Sequence, residues 1–386
     1  MRALYEHEIQ LTMAVATLVL LLMPACSPDT DPYTGEADTP KWVIASELSL
    51  SIGEVDGPSE YVLSRVMSVR LLPEGLVAVA DGGSNTIRIY GPEGDFVRQL
   101  GREGDGPGEF RYLNEIQLID PDTLLAYDSQ HGRLTSFLTG GEILAETPSF
   151  SAPDGRVEVY LGRFDDGDHA GAWIVQEPRD PESITPDVMR MAKFGSDGEM
   201  RAPLGIDHGM RRVTTRRSGG PTPWSPHFLG AVFGGAVYHT DGVGGVVRVT
   251  DGSGEPLGVI RPDLSPWDPD DARADLEPSL DSASAERLAE LRGTPGLDTV
   301  PVVSDLLVDA RGRLWLKRYD PSADSHWLGR PRTGGAWTVL DRDGVVAAHV
   351  AVPPGFRLLD ARDERVAGVT RDELGVERVE VRALTR

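Results

Sequence analysis

Gly101-Arg-Glu-Gly-Asp-Gly-Pro-Gly-Glu-Phe110 decides the reading of this chain, because it joins two copies of one pattern. Ahead of it stand Val66 to Leu71, a turn at Pro73-Glu74-Gly75, Leu76 to Asp81, Thr86 to Tyr90, a turn at Pro92-Glu93-Gly94, and Phe96 to Leu100. Behind it come Leu113 to Ile119, a turn at Pro121-Asp122, Thr123 to Asp128, Arg133 to Phe137, and Gly140-Gly141-Glu142-Ile143. Each segment alternates apolar with polar residues at period two, the mark of a strand, and each break carries the Gly, Pro or Asp of a tight turn. Short antiparallel strands grouped in fours make a propeller blade, and a repeat of this kind fixes the architecture.

Fainter copies follow. A third is built on Ala172 to Val175, Met189 to Phe194 and the turn Ser196-Asp197-Gly198. A fourth uses Phe228 to Thr240, Val246 to Thr250 and Gly252-Ser253-Gly254, and a fifth uses Leu306 to Asp309, Arg313 to Leu316, Trp337 to Leu340 and Asp343-Gly344. The sixth, Arg357 to Asp360, Glu364 to Val369 and Val376 to Leu384, has lost its glycine turn. The expectation is an all-β, six-bladed β-propeller over 42–386, each blade four-stranded and antiparallel. Trp42 to Ile52 belongs to no complete unit and should pair with the last blade, closing the ring and removing its exposed edges.

Residues 266–297 abandon the strand pattern, and Ser284 to Arg292 has helical spacing, with Leu288 and Leu291 on one side. This insertion between blades four and five should lie across a rim, as a partial lid or as cover for apolar blade surface. Within the joint at 101–110 the glycines read as suppliers of turn dihedrals. A phosphate cradle there is opposed by Glu103, Asp105 and Glu109 and lacks the Gly-Lys-Ser/Thr ending.

The Gly-Pro-Gly-x-Phe joint, the Val-x-Asp strand end and the Arg-x-x-x-Phe strand between Phe96 and Ile143 resemble NHL-type repeats. The whole chain is similar to the six-bladed β-propeller lipoproteins of bacterial envelopes, a resemblance that extends to Arg313-Leu-Trp-Leu316 and to the segment from Gly368 to Glu377. It implies a propeller held at the envelope, and it implies no particular reaction.

The N-terminus fits that compartment. Leu11 to Ala25 is an apolar run suited to a signal-peptide core and short for a bilayer span. It ends Leu22-Met23-Pro24-Ala25-Cys26-Ser27, which resembles a lipobox in which Cys26 would receive the lipid; Cys26 is also the only cysteine. Residues 1–25 thus read as a lipoprotein-type signal peptide and 26–41 as a flexible tether. Ser27 in place of Asp resembles the pattern sorted to the outer membrane. A formal net charge of −23 repels phosphate backbones and argues against nucleic acid as a partner, leaving a ligand or protein of the envelope.

The chain has no Gly-x-Ser-x-Gly elbow, no His-Glu-x-x-His and no Cys/His metal spacing. Any chemistry is expected where the innermost strands meet the central channel. Seven positions ahead of Gly75, Asp122, Gly167, Gly235 and Gly312 stand Ser68, Glu115, Tyr160, Phe228 and Asp305. The neighbouring column supplies Asn114, His227 and Ser304. Arg211, Arg212, Arg216 and Arg217 form a second candidate, a rim loop for an anion in an otherwise acidic chain. Asp81, Asp128 and Asp241 recur at the ends of second strands, where bonding to turn amides accounts for them.

Two functional readings stand side by side. The first is an envelope-tethered binding or scaffolding module for an extracytoplasmic ligand or protein, without a cofactor. The second is a calcium-dependent propeller hydrolase or lyase resembling gluconolactonases, with its site in the channel. Such sites favour Asn ligands, and this chain has Asn only at 85 and 114.

Overall fold

In the computed structural model the described residues are 39–175, 184–214, 219–225, 227–292, 297, 299–328 and 333–386. The leader, Cys26, Arg216 and Arg217 lie outside them. The chain from Thr39 onward forms one unit.

Blade one is Val66–Leu71, Val77–Asp81, Thr86–Tyr90 and Phe96–Leu100, hydrogen-bonded in that order. Blade two repeats it with Leu113–Asp120, Thr123–Asp128, Arg133–Leu138 and Ile143–Glu146. Blade three, beginning at Val159–Arg163, adds a fifth strand, Gly219–Pro221, to its outer edge. Blades four and five begin at Leu229–Phe233 and Val303–Val308. Blade six supplies Arg357–Arg362, Arg365–Arg371 and Glu377–Thr385, and its outer strand is Lys41–Ile52 from the other end of the chain. The architecture is the six-bladed all-β propeller expected.

The alternation of the strands is what makes a ring of them. In blade one's second strand all residues are buried, yet they face two different neighbours. Val77 and Val79 pack into the joint with blade six, whereas Ala78 and Ala80 face blade two. Period two sends successive side chains to opposite faces, so one strand serves two interfaces. The result is one hydrophobic cluster at each of the six blade–blade joints.

The first strand crosses two of these joints. Lys41, Trp42 and Val43 pair in parallel with His349, Val350 and Ala351 of blade five. The strand also pairs antiparallel with blade six, from Val43 opposite Thr385 to Ile52 opposite Val379. Trp42 and Ile44 join the cluster between blades five and six, and Leu50 and Ile52 the one between six and one. Each such side chain, fully buried, contributes roughly 1.5–3 kcal/mol.

Inner strands all begin at the face that carries the blade-to-blade connections and end at the face that carries their own hairpins. The insertion after Pro256–Ile260 is such a connection. Helix α1 (Pro269–Leu276) is capped by Asp268, which accepts from Asp270 and Asp271 N–H, and α2 (Ser282–Glu290) is capped by Asp281. Together with the short α3 (Pro321–Asp324) they enclose a seventh cluster around Trp224, Leu276, Leu288 and Tyr319. Trp224 Nε1 donates to Leu297 O (2.7 Å), and Trp267 Nε1 donates to Tyr319 O (2.7 Å). The insertion covers the connection face.

The Gly101 to Phe110 joint folds back on itself, pairing Arg102–Glu103 in parallel with Glu109–Phe110. Phe110 is fully buried and meets Phe137 at 6.1 Å between ring centroids. The acids of the loop are engaged within it. Arg102 Nε donates to Glu109 (2.7 Å), and Arg111 binds both oxygens of Asp105 (2.8 and 2.6 Å), which His131 Nε2 also approaches (3.0 Å). Arg111 and His131 hold the Asp105 carboxyl far below the usual range. Gly101, Gly104 and Gly108 adopt positive φ (+68°, +152° and +68°), whereas Gly106, which reads alike in the sequence, does not.

A Cβ on Gly101 would lie 2.3 Å from the Phe110 ring. Gly101→Ala should therefore lower the melting temperature by roughly 2–4 °C or more. Gly106→Ala, which meets only the end of the Glu109 side chain, should shift it by less than about 1 °C. Equal shifts in calorimetry would show that the backbone of the joint is not what the glycines serve.

Candidate ligand channel

Each inner strand except that of blade four carries a register shift: between Val66 and Ser68, Leu113 and Glu115, Tyr160 and Gly162, Val303 and Asp305, and Leu358 and Asp360. An extra residue in a strand re-aims the side chains around it. In four blades the residue just past the shift is polar: Ser68, Glu115, Asp305 and Asp360. These residues border a central cavity of about 600 Å³. Its wall continues to Asp165, Gly234, Ala310 and Arg362, at the hairpin ends of the inner strands, so the mouth is on the hairpin face. The helical insertion lies on the opposite face and is no lid for it.

Blades six, one and two are wired together across this wall. Asp360 accepts from Leu71 N–H (2.7 Å), and Arg70 donates to Leu359 O (3.0 Å) and to Glu115 Oε1 (2.5 Å). Ser68 Oγ donates to the same oxygen (2.7 Å), as does Ile116 N–H (3.1 Å). The bonds from Arg70, Ser68 and Ile116 to Glu115 thus all fall on Oε1. Across the ring in blade five, Asp305 accepts from Leu306 N–H (2.9 Å). Burial pushes its carboxyl up to about 6, against the opposing pull of that N–H and of Lys317. Asp360 is also raised by burial, although Arg70 opposes the shift. Arg163 of blade three and Arg362 of blade six add cations from opposite sides, nearer the mouth.

Other residues singled out in the sequence sit differently. Tyr160 reaches the cavity wall, but its hydroxyl lies 3.1 Å from His169 Nδ1 and its ring stacks on Tyr127 (5.4 Å). Blade three's shift falls closer to its hairpin, so at the height of Ser68 the facing is reversed and Tyr160 joins the interblade core. Phe228 packs into the joint between blades three and four. Asn114 is half-buried with its Oδ1 unpartnered, and His227 meets His326 edge-on at 4.2 Å. Ser304 donates to the buried Asp324 (2.7 Å), which pairs with Lys317. In the arginine segment, Arg212 Nε binds buried Asp187 (3.1 Å), and Arg211 N–H donates to Ser225 Oγ (2.6 Å). Asp360, Arg70, Arg163 and Arg362 were not singled out. Blade six turns through Asp363 at φ +56° in place of a glycine, so no marker was left from which to count back to Asp360.

Among the described residues, the group of three metal-capable side chains that converges is Asp207, His208 and Asp241, outside this channel. What the channel offers is a set of opposed charges and hydrogen-bonding groups around a cup open on the hairpin face.

The ring and its polar axis define the chain as a six-bladed β-propeller. Residues 57–148, which span blades one and two, match the family DUF5128, described as a 6-bladed beta-propeller. A DUF4221 family member from Bacteroides vulgatus shares the fold at TM-score 0.53 and 9% identity, over 90% of this chain and 99% of its own. A protein designated as exported in Bacteroides fragilis aligns at TM-score 0.46 and 12% identity, over 87% and 95%. Virginiamycin B lyase from Staphylococcus aureus aligns at 0.39 and 12%, over 84% and 97%. No curated protein matches the sequence.

The raised Asp305 carboxyl has a testable sign. Its folded value of about 6 exceeds the unfolded value of about 3.9, so the native state binds more protons between these limits and loses stability as pH rises through them. Asp305→Asn should melt higher than the parent at pH 8 and lose that advantage at pH 4. A pH-independent difference in melting temperature would remove the assignment.

Proposed function

We propose that this protein is an envelope-tethered binding module that takes a small polar ligand into the channel from the hairpin face. The observation that supports this best is the wall itself, with Glu115 and Asp305 deep in blades two and five and Arg163 and Arg362 nearer the mouth in blades three and six. Carboxylates at depth and guanidinium groups at the mouth suit a ligand with hydroxyl or ammonium groups at one end and an anion at the other. Amino acids, short peptides and acidic sugars have that form. The calcium-enzyme reading finds less support, since Arg70 already neutralises Glu115 on the oxygen that carries its other bonds.

Thermal-shift measurements with a panel of dipeptides and hexuronic acids should yield at least one stabilising class, and Arg163→Ala with Arg362→Ala should reduce its affinity by roughly tenfold or more. No shift across the panel, or shifts indifferent to both variants, would reject the channel as the binding site.

The tether is part of the same proposal: a lipid on Cys26 would hold the propeller at a membrane, with the outer membrane favoured by Ser27. Cys26→Ser should release the protein into the soluble fraction or block its maturation. Normal processing with unchanged membrane partition would refute the anchor.

A further inference from the structure

A second site lies on the connection face, where the outer strand of blade three, Met200–Thr214, meets the end of the second strand of blade four, Ala236–Thr240. One ligand atom from each of Asp207, His208 and Asp241 lies within 4.8 Å of the others. The repeat itself shows that this arrangement departs from the structural use of aspartate. Asp81 accepts from Ser64 N–H (3.1 Å), Gly83 N–H (3.1 Å) and Ser84 Oγ (2.7 Å). Asp128 accepts from the N–H groups of Arg111 (2.7 Å), Tyr112 (3.3 Å), Gln130 (2.8 Å) and His131 (3.1 Å). Both carboxylates are consumed in tying a turn to the preceding connection.

In blade four that work passes to a hydroxyl. Thr240 Oγ1 accepts from Gly242 N–H (3.0 Å), two residues on, as Asp81 does from Gly83. Asp241 stands one residue later and accepts a single hydrogen bond among the described residues, from Val243 N–H (2.9 Å), on Oδ1. Its second oxygen is left for another purpose. Asp241 stands in one cluster with Asp207, whose carboxylate Arg248 also binds. Two partly desolvated carboxylates repel unless a cation or a shared proton lies between them.

Asp207 is held firmly. Its Oδ2 is 2.6 Å from His239 Nδ1 and 3.2 Å from Arg248 Nη1, and its Oδ1 accepts from His208 N–H (2.9 Å). Its Oδ1 also takes Arg248 Nη1 (3.3 Å), and bonds of this type orient a ligating carboxylate from its outer side. The His208 side chain is exposed and its ring nitrogens make no hydrogen bond among the described residues. The exposed ring is the member of the group that can turn toward an ion, as metal–ligand bonds of about 2.0–2.2 Å require.

We propose that Asp207, His208 and Asp241 bind a divalent ion of the zinc type, with at least one coordination position open to solvent. One imidazole and two carboxylates suit such a borderline ion better than calcium, which seldom takes nitrogen. The site stands apart from the channel reading and does not depend on it.

The test is titration of the metal-stripped full chain with Zn²⁺ by calorimetry, with His208→Ala as the principal variant because that side chain is exposed and supports no packing. The parent should bind one ion per chain at this site and gain thermal stability from it. His208→Ala and Asp241→Asn, each with the apo-protein melting temperature of the parent, should weaken binding by roughly tenfold or more. Absence of stoichiometric Zn²⁺ binding overturns the proposal. So does binding that His208→Ala and Asp241→Asn leave unchanged, since the ion would then sit elsewhere, for example at Cys26.

Discussion

Everything in this molecule depends on the closing of a ring by a strand that arrives from the far end of the sequence. Without Lys41–Ile52, blade six would present the open edge of Glu377–Thr385, and two hydrophobic joints would lose Trp42, Ile44, Leu50 and Ile52. A parallel pairing onto blade five and an antiparallel one onto blade six merge those blades into one eight-stranded sheet. An open edge is also a template for unwanted pairing, and the first strand covers the one that Glu377–Thr385 would present.

The same closure creates the channel. Strands that taper toward an axis bring their inner edges together, and a shift of one residue in five of the six inner strands changes what they present there. Where the shift keeps a common height, polar groups arrive at the axis. In blade three it is displaced, and an aromatic core residue arrives instead. The channel's chemistry is therefore set by backbone irregularities as much as by residue choice.

This explains what was legible in the sequence. Alternation and turn glycines report the strands faithfully, because both are imposed by sheet geometry that each blade must satisfy separately. Ser68, Glu115 and Asp305 could be found by counting back from a residue of the hairpin turn (Gly75, Asp122 and Gly312), since their hairpins and shifts keep step. Asp360 could not, because Arg362 and Arg365 close a tighter turn through Asp363. Tyr160 had the right count and reaches the cavity wall, but its hydroxyl is turned to His169. Gly106 shows the same limit on a smaller scale, for composition marks a loop as glycine-rich without saying which residue takes the left-handed backbone. The placing of the insertion followed from strand direction, which requires every connection between blades to lie on one face.

Strand direction has one more consequence. Lys41 enters at the hairpin end of blade six, opposite the end of Glu377–Thr385, and the first strand then runs toward the connection face. Whatever precedes it in the chain is rooted on the side where the channel opens. A ligand therefore reaches the cup past the point where the chain enters the ring, while the helices and the Asp207–His208–Asp241 cluster stand on the opposite face.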